Sequence, residues 1–312
     1  MPDKPCFDIL GIGTVAVDDF LHVDRYPPPD QKEPVRDACR RCGGQIATAL
    51  AAAARLGMRC AYAGVLGDDD LSAFVRRSLE ETGVDCRFVI HRPDAGPIHS
   101  VIIVDDHAHT RNIFFDRRVI RSLPAEEVTE CLVASAKVLL VDQFGADEMI
   151  AAAYHAGHLG LPVVADMEWP DRPRRDDLMR RVDHLIVPRD FAAVVTGQED
   201  VGQMVRTLHR FRPRECTAVT CGKAGCYYVV GVASDEIRHQ PAFDVRPVET
   251  TGCGDVFHGA YAAGLAAGHD PVRCVAYAAA AAAAYASRPS GWDHLPSPAD
   301  VEAILPTRRG SS

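Results

Sequence analysis

Between Val138 and Gly222 the chain carries four short apolar runs, "VLLVD", "PVVADM", "HLIVP" and "CTAVTCG". Segments with helical spacing separate them: "DEMIAAAYHAG", a stretch near Asp176 to Arg181, and helices up to His209. A run of consecutive aliphatic residues has no polar face, so each reads as a strand buried on both sides. Strands joined through helices lie parallel, because a parallel connection needs a crossover of a dozen or more residues. The same rhythm opens the chain, with "CFDILGIG" and "CAYAGVLG" as buried strands, "TALAAAARLG" as a helix stopped at Gly57 and "DDLSAFVRRSLEETG" as one closed by Gly83. In the latter, Asp68, Asp69 and Asp70 read as a cap and a solvated first turn. The pattern predicts an α/β fold, a doubly wound three-layer α/β/α sandwich.

Two stretches break the alternation. "TVAVDDFLHVDRYPPP" stays extended until prolines stop it, and "DCRFVIHR", "IHSVIIVDD" and "TRNIFFDR" follow one another with only turns between. They predict a small β-sheet from residues 14–38 and 85–117, leaving residues 1–13, 39–84 and 118–312 to the main domain. A sheet attached at two places can act as a lid. Its apolar positions, such as Val101, Ile103 and Phe115, predict pairing with a second copy, a homodimer. After the motif described below, three helices run to the C-terminus, and the tail "TRRGSS" is expected to be disordered.

Composition narrows the partners. The net charge is −9, and the basic pairs Arg40-Arg41, Arg174-Arg175 and Arg180-Arg181 are interrupted by acids, which argues against nucleic acid. The most apolar segment, "CVAYAAAAAAAYA", is too short and alanine-rich for a membrane span, and the N-terminus shows no signal-peptide pattern. Eleven cysteines, an odd number without dense spacing, read as a reduced cytoplasmic protein. Cys39 and Cys42 form a lone CxxC with no second pair at zinc-ribbon distance.

Chemistry concentrates in "ETTGCGDVFHGAYAAGLAAG", Glu249 to Gly268, where Asp255 stands behind two glycines at the start of a small-residue helix. Gly252 and Gly254 let the backbone turn and approach a ligand, and N–H groups near 252–255 make an anion hole at the helix end. Asp255 is then placed to accept a proton from a hydroxyl as a phosphoryl group arrives. The plain alternative is that Asp255 caps the helix. Two weaker signals accompany it. Thr220, Gly222 and Gly225 in "AVTCGKAGCYYV" form a strand-to-strand turn, beside a nucleotide or an ordinary hairpin. Gly43-Gly44 precede a helix and admit a polyol to the backbone. His258 faces either the acceptor or the helix interface. Trp169 and Trp292 border a pocket or belong to the core.

Taken together, "GIGTVAVD", "GG" before "AAAARLG", "GVLGDDD", "VTCGKAG" and "TTGCGDVFHGA" resemble the ribokinase-like (PfkB-type) carbohydrate kinases, in that family's order and from about Asp8 to Trp292. The resemblance implies ATP and Mg2+ as cofactors, with Asp255 as catalytic base and Gly252, Cys253 and Gly254 as anion hole. It implies sugar contacts at Asp18, Gly43, Gly44 and Gln45, with Thr48 where an Asn is common, and nucleotide contacts at Thr220, Gly222, Gly225 and Thr251. "GTVAVDDFLHVDRYP" and "TRNIFFDR" look most like ketohexokinases, implying Arg111 near the transferred phosphate and Asp30 near a sugar; "VFHGA" and "GGQIATA" look more like sulfofructose kinases. Both imply a ketose acceptor phosphorylated on a primary hydroxyl.

Departures from the pattern shape the rest. The usual Asn-x-x-Glu, which helps organise magnesium, aligns with "PRDF" at residues 188–191 and is absent, so metal ordering falls to Asp166 or Glu168, unless these are only strand-end carboxylates. Glu249 replaces the usual Asp at a segment where many members bind a monovalent cation such as K+. Cys253 replaces an Ala, a thiol at a helix N-terminus whose pKa that position can lower, or a plain filler. The rival readings are an NAD-dependent oxidoreductase, from G-x-G-x-x-A at Gly11, Gly13 and Ala16, which requires a helix next, and a non-catalytic sugar-binding protein. A P-loop is disfavoured because "CGKAG" lacks the required spacing and a Ser or Thr after the Lys.

Overall fold

The computed structural model describes residues 5–108 and 110–305; the tail "TRRGSS" lies outside them. In chain order its first elements are β1 (Ile9–Ile12), β2 (Ala16–Val23), β3 (Val35–Gly43), α1 (Gln45–Arg55), β4 (Cys60–Leu66), α2 (Asp70–Glu81), β5 (Val84–His91), β6 (Ile98–Asp105) and β7 (Thr110–Asp116). The middle of the chain forms α3 (Glu130–Val133), β8 (Val138–Val141), α4 (Ala146–Leu159), β9 (Val163–Asp166), α5 (Arg175–Met179), β10 (His184–Pro188), α6 (Arg189–Thr196) and α7 (Val201–Phe211). It closes with β11 (Cys216–Thr220), β12 (Cys226–Val230), β13 (Arg238–Gln240), α8 (Cys253–Ala266), α9 (Pro271–Ala286) and α10 (Pro298–Ile304).

Nine strands make one sheet in the order β13-β12-β11-β10-β9-β8-β1-β4-β5. All neighbours from β5 to β11 pair in parallel, and β12 and β13 add an antiparallel edge. Every residue of β1, β4, β8 and β9 is buried, as a sheet covered by helices on both faces requires. The chain leaves β1 towards β4 on one side and returns as β8 on the other. The strand order therefore reverses between β1 and β8, where α/β sheets open a crevice at their carboxyl ends.

The second sheet has the order β3-β2-β6-β7. Its composition corrects two expectations. Val84–His91, expected in the small sheet, pairs parallel with β4 as the edge of the large one, because α2 supplies the crossover that makes β4-α2-β5 a regular unit. Residues 39–43, expected in the main domain, belong to β3, which pairs antiparallel with β2 from Ala16↔Gly43 onward. The strand "VRDACRRCG" has no apolar alternation and is exposed over its first half, so only pairing with β2 defines it.

Helices α1 and α8 cross under the site. A Cβ on Gly259 would lie 2.1 Å from the Ala49 carbonyl oxygen, so backbone meets backbone there. The alanine run of α9 packs on the same side, its N-terminus capped by Asp270 accepting from the Arg273 N–H. Asp69 caps α2 in the same way, accepting from the Ser72 N–H.

Candidate active site

Two of the buried parallel strands end in a carboxylate that has nowhere to go but the crevice. Asp142 follows β8 and is fully buried. The Thr14 N–H and hydroxyl both donate to its Oδ2, at 2.6 and 2.8 Å, and the Phe144 N–H donates to Oδ1 at 2.8 Å. Burial outweighs these bonds and pushes its pKa up to about 6. Asp166 ends β9 with both oxygens buried; His258 Nδ1 lies 3.1 Å from Oδ2 and Gln45 approaches, but neither makes a well-aligned hydrogen bond to it. Burial, then Glu168 and Asp142, hold its pKa well above the carboxylate range.

The glycine motif closes over these groups. Gly252 takes the left-handed conformation, φ 82°, as the residue before α8. The Gly254 and Asp255 N–H groups find no acceptor among the described residues, and a Cβ on Gly254 would project into open space. This is an uncovered helix N-terminus suited to an anion. Asp255 makes no capping bond, since Gly252 occupies that position. Withdrawal from water, followed by Asp166, Glu168, Asp18 and Asp142, raises its pKa well above normal. A carboxylate that spends no hydrogen bond on its own helix and has affinity for a proton is equipped to act as a base.

The residues expected to contact a sugar come from the small sheet and α1. Gly43 sits against Asp18, a Cβ there falling 2.5 Å from its Oδ2. Gly44 has φ 93°, and its Cβ would strike Val15 Cα at 2.6 Å, so only glycine passes the chain from β3 into α1. Gln45 opens α1 with its Nε2 buried and without a well-aligned hydrogen bond. The Thr48 hydroxyl accepts from Trp292 Nε1 at 3.3 Å, so Trp292 borders the site. Asp30 stands apart: it is exposed, at φ 63°, in the loop between β2 and β3.

Both edge strands of the small sheet touch the segment leading into the glycine motif. From β7, Arg111 Nη1 donates to Thr251 Oγ1 at 2.7 Å. From β3, Arg41 stacks on Phe20, donates to Ser290 Oγ at 2.5 Å and lies 3.7 Å from Glu249, whose Oε2 accepts the Ser290 N–H at 3.0 Å. Further along, Thr220 ends β11 and Gly222 and Gly225 shape the turn into antiparallel β12. A Cβ on Gly225 would come 2.2 Å from the Gln240 carbonyl oxygen, whereas Gly222 faces open space.

Cys253 departs from one of the two readings above. Burial, then Asp255 and Glu249, push its thiol up to about 11, so neighbouring carboxylates overcome the helix end. His258 is buried in the helix interface, its Nδ1 2.8 Å from the Gly254 carbonyl oxygen and 3.1 Å from Asp166, its Nε2 3.1 Å from the Ile186 carbonyl oxygen. The dinucleotide reading fails on its own requirement, because β1 runs into β2 and not into a helix.

No cluster of three or more His, Cys, Asp or Glu side chains forms a closed metal cage among the described residues. Magnesium does not need one, since it takes one or two carboxylates together with substrate phosphates. The buried oxygens of Asp166, with Glu168 beside it, are hard donors of that kind.

Residues 6–298 match the model of the pfkB family of carbohydrate kinases. The chain belongs to this family. An ATP-dependent ribose-1-phosphate kinase of Halopiger xanaduensis is 30% identical to this PfkB kinase over 306 residues, covering 96% of it and 98% of the relative. A fructokinase of Klebsiella pneumoniae is 30% identical over 244 residues, covering 72% and 77%. Among solved structures, Arabidopsis thaliana ribokinase complexed with ribose and ATP superposes with a TM-score of 0.83 at 20% identity, covering 96% of this kinase and 98% of that chain. As a PfkB kinase the protein is an ATP-dependent sugar kinase with a ribokinase-like fold. Sequence reasoning missed Asp142 and Arg41, which the fold brings to the crevice and to the segment before the glycine motif. Asp142 shared one signal with Asp166, an acid closing a buried apolar strand; Arg41 carried none.

Proposed function

We propose that the protein transfers the γ-phosphoryl group of ATP to a primary hydroxyl of a fructose-like ketose. The observation that carries this is the pairing of an uncovered helix N-terminus with a proton-hungry carboxylate, Asp255, in its first turn. Asp18, the Gly43-Gly44 turn and Gln45 hold the sugar so that its hydroxyl faces Asp255. Asp255 takes the hydroxyl proton as the oxygen attacks, and the Gly254 and Asp255 N–H groups, with Arg111, hold the charge gathering on the transferred phosphoryl oxygens. Thr220, Gly222, Gly225 and Thr251 line the nucleotide side. Asp166 and Glu168 hold Mg2+, which when bound neutralises phosphate charge. Gln45 Nε2 and the Asp166 oxygens, buried beside one another without well-aligned hydrogen bonds, support a polar ligand in the crevice.

The small sheet is the lid in this reading, excluding water that would otherwise hydrolyse ATP. Ile113, Phe114 and Phe115 on β7 are each at least half exposed, which supports a homodimer joined through this sheet. Sedimentation at micromolar concentration is expected to give twice the 33.8 kDa chain mass. All eleven cysteines are free, in keeping with a cytoplasmic setting, and no helix among the described residues is long and apolar enough to cross a membrane. The deciding experiment measures ADP release with fructose, tagatose, ribose, fructose 6-phosphate, 6-deoxy-6-sulfofructose, ribose 1-phosphate and 2-keto-3-deoxygluconate. Acceleration by a sugar supports the reading, and a flat response to all of them refutes it.

A further inference from the structure

The loop after β9 holds a cation with no bonded acid partner among the described residues. Arg172 is half-buried, its guanidinium carbon 5.2 Å from the Phe144 ring centre and 5.6 Å from that of Trp169. None of its side-chain nitrogens donates to an acceptor or pairs with an acid among the described residues. The loop is fixed in place, because the Trp169 carbonyl accepts from Gln143 Nε2 at 3.0 Å and from the Arg172 N–H at 3.4 Å. A second cation, Arg117, follows β7 of the small sheet, lies over Phe115 and has no acid partner among the described residues. Burial and then the charge of Arg117 lower the pKa of Arg172. The nearby Asp142 offsets the charge of Arg172 in part but makes no bond to it, its oxygens being taken by Thr14 and Phe144. A guanidinium set over two rings has its N–H donors restricted in orientation, and two cations whose charges act on one another favour an anion.

Position tells which anion. Phe144 and Arg172 follow β8 and β9, and Arg117 follows β7 of the small sheet, the sheet that carries Asp18 and Gly43 of the proposed sugar contacts. The nucleotide turn follows β11, two strands from β9 or roughly 10 Å away at the usual strand spacing. Gln143 Oε1, buried and unpartnered in the same place, is an acceptor for a hydroxyl. We propose that Arg172, framed by Phe144 and Trp169 and assisted by Arg117, binds an anionic substituent of the acceptor sugar, so that the substrate class is a sugar phosphate, sulfonate or carboxylate and not a neutral sugar. This rests on the kinase reading above and deepens it.

The test compares each anionic sugar with its neutral parent: ribose 1-phosphate with ribose, and fructose 6-phosphate and 6-deoxy-6-sulfofructose with fructose. In the wild type at least one anionic form has a kcat/KM more than tenfold above its parent, and in Arg172→Gln that ratio falls by about 10², mainly through KM. Arg172→Lys, which retains the charge without the planar fork, falls between the two and serves if the Gln variant does not fold. Preference for the neutral parents, or a ratio unchanged in Arg172→Gln, overturns the proposal while leaving the kinase reading intact. A separate arm titrates inorganic phosphate calorimetrically into protein saturated with a non-hydrolysable ATP analogue. A tenfold or greater loss of phosphate affinity in Arg172→Gln is expected, and equal affinity overturns the proposal even if no sugar is turned over.

Discussion

Arg111 and Thr251, 140 positions apart, are joined by a 2.7 Å hydrogen bond that brings an edge strand of the small sheet onto the threshold of the glycine motif. A guanidinium there can either hold the sheet closed or face the transferred phosphoryl group. Arg111→Gln separates the two. If the charge stabilises the transition state, kcat falls by about 10² while sugar KM stays within a few-fold. A rise confined to sugar KM would restrict Arg111 to closure.

Asp255 makes no capping bond, so its loss should cost no capping energy. Asp255→Asn is expected to lower kcat by about 10² to 10⁴ with the melting temperature unchanged or raised, because one carboxylate leaves a crowded acidic site. ATP affinity should hold or improve, as a negative charge beside the phosphates is gone. A folded variant retaining over about a tenth of wild-type turnover would remove Asp255 from the role of base.

Glu148 is buried near the start of α4, and burial raises its pKa from 4.5 to about 8. The folded state therefore holds this proton more tightly than the unfolded chain. Its stabilising effect is complete below about pH 4.5 and is lost as pH rises through 8, with a slope of at most about 1.4 kcal/mol per pH unit. Asp142 adds the same sign between 3.8 and about 6. Between pH 6 and 8 the wild-type melting temperature should fall, and Glu148→Gln should flatten that slope. An identical slope in both proteins would contradict the assignment.

Cys253 should be inert. With its thiol pushed up to about 11, little thiolate exists at pH 7.5, so iodoacetamide should label it far more slowly than the exposed Cys6 and Cys131. Cys253→Ala should keep kcat within about twofold. Rapid alkylation of Cys253 that abolishes activity would reveal a functional thiol.

Buried parallel strands were legible because each is a continuous apolar run, and the glycine motif because its residue types have few other uses at a strand-to-helix junction. β3 was not legible, as "VRDACRRCG" carries no periodicity and becomes a strand only through the hydrogen bonds of β2. β5 was read as a strand but assigned to the wrong sheet, because its apolar content matches that of β6 and the connection through α2 decides its place.

Local pattern thus determined the α/β class, the main helices and the placing of Asp255 in the first turn of an uncovered helix N-terminus, since these depend on periodicity and on glycine geometry within a few residues. Tertiary structure alone decided which distant groups share the crevice. Asp142 with Thr14, Arg41 with Glu249 and Ser290, Thr48 with Trp292, and Arg172 between Phe144 and Trp169 meet because strand order reverses between β1 and β8 and the small sheet folds over that point. Electrostatics belongs to the same level. Whether a carboxylate or thiol is raised depends on burial and on charges from other strands, as the buried Asp166 and the carboxylates around Cys253 demonstrate.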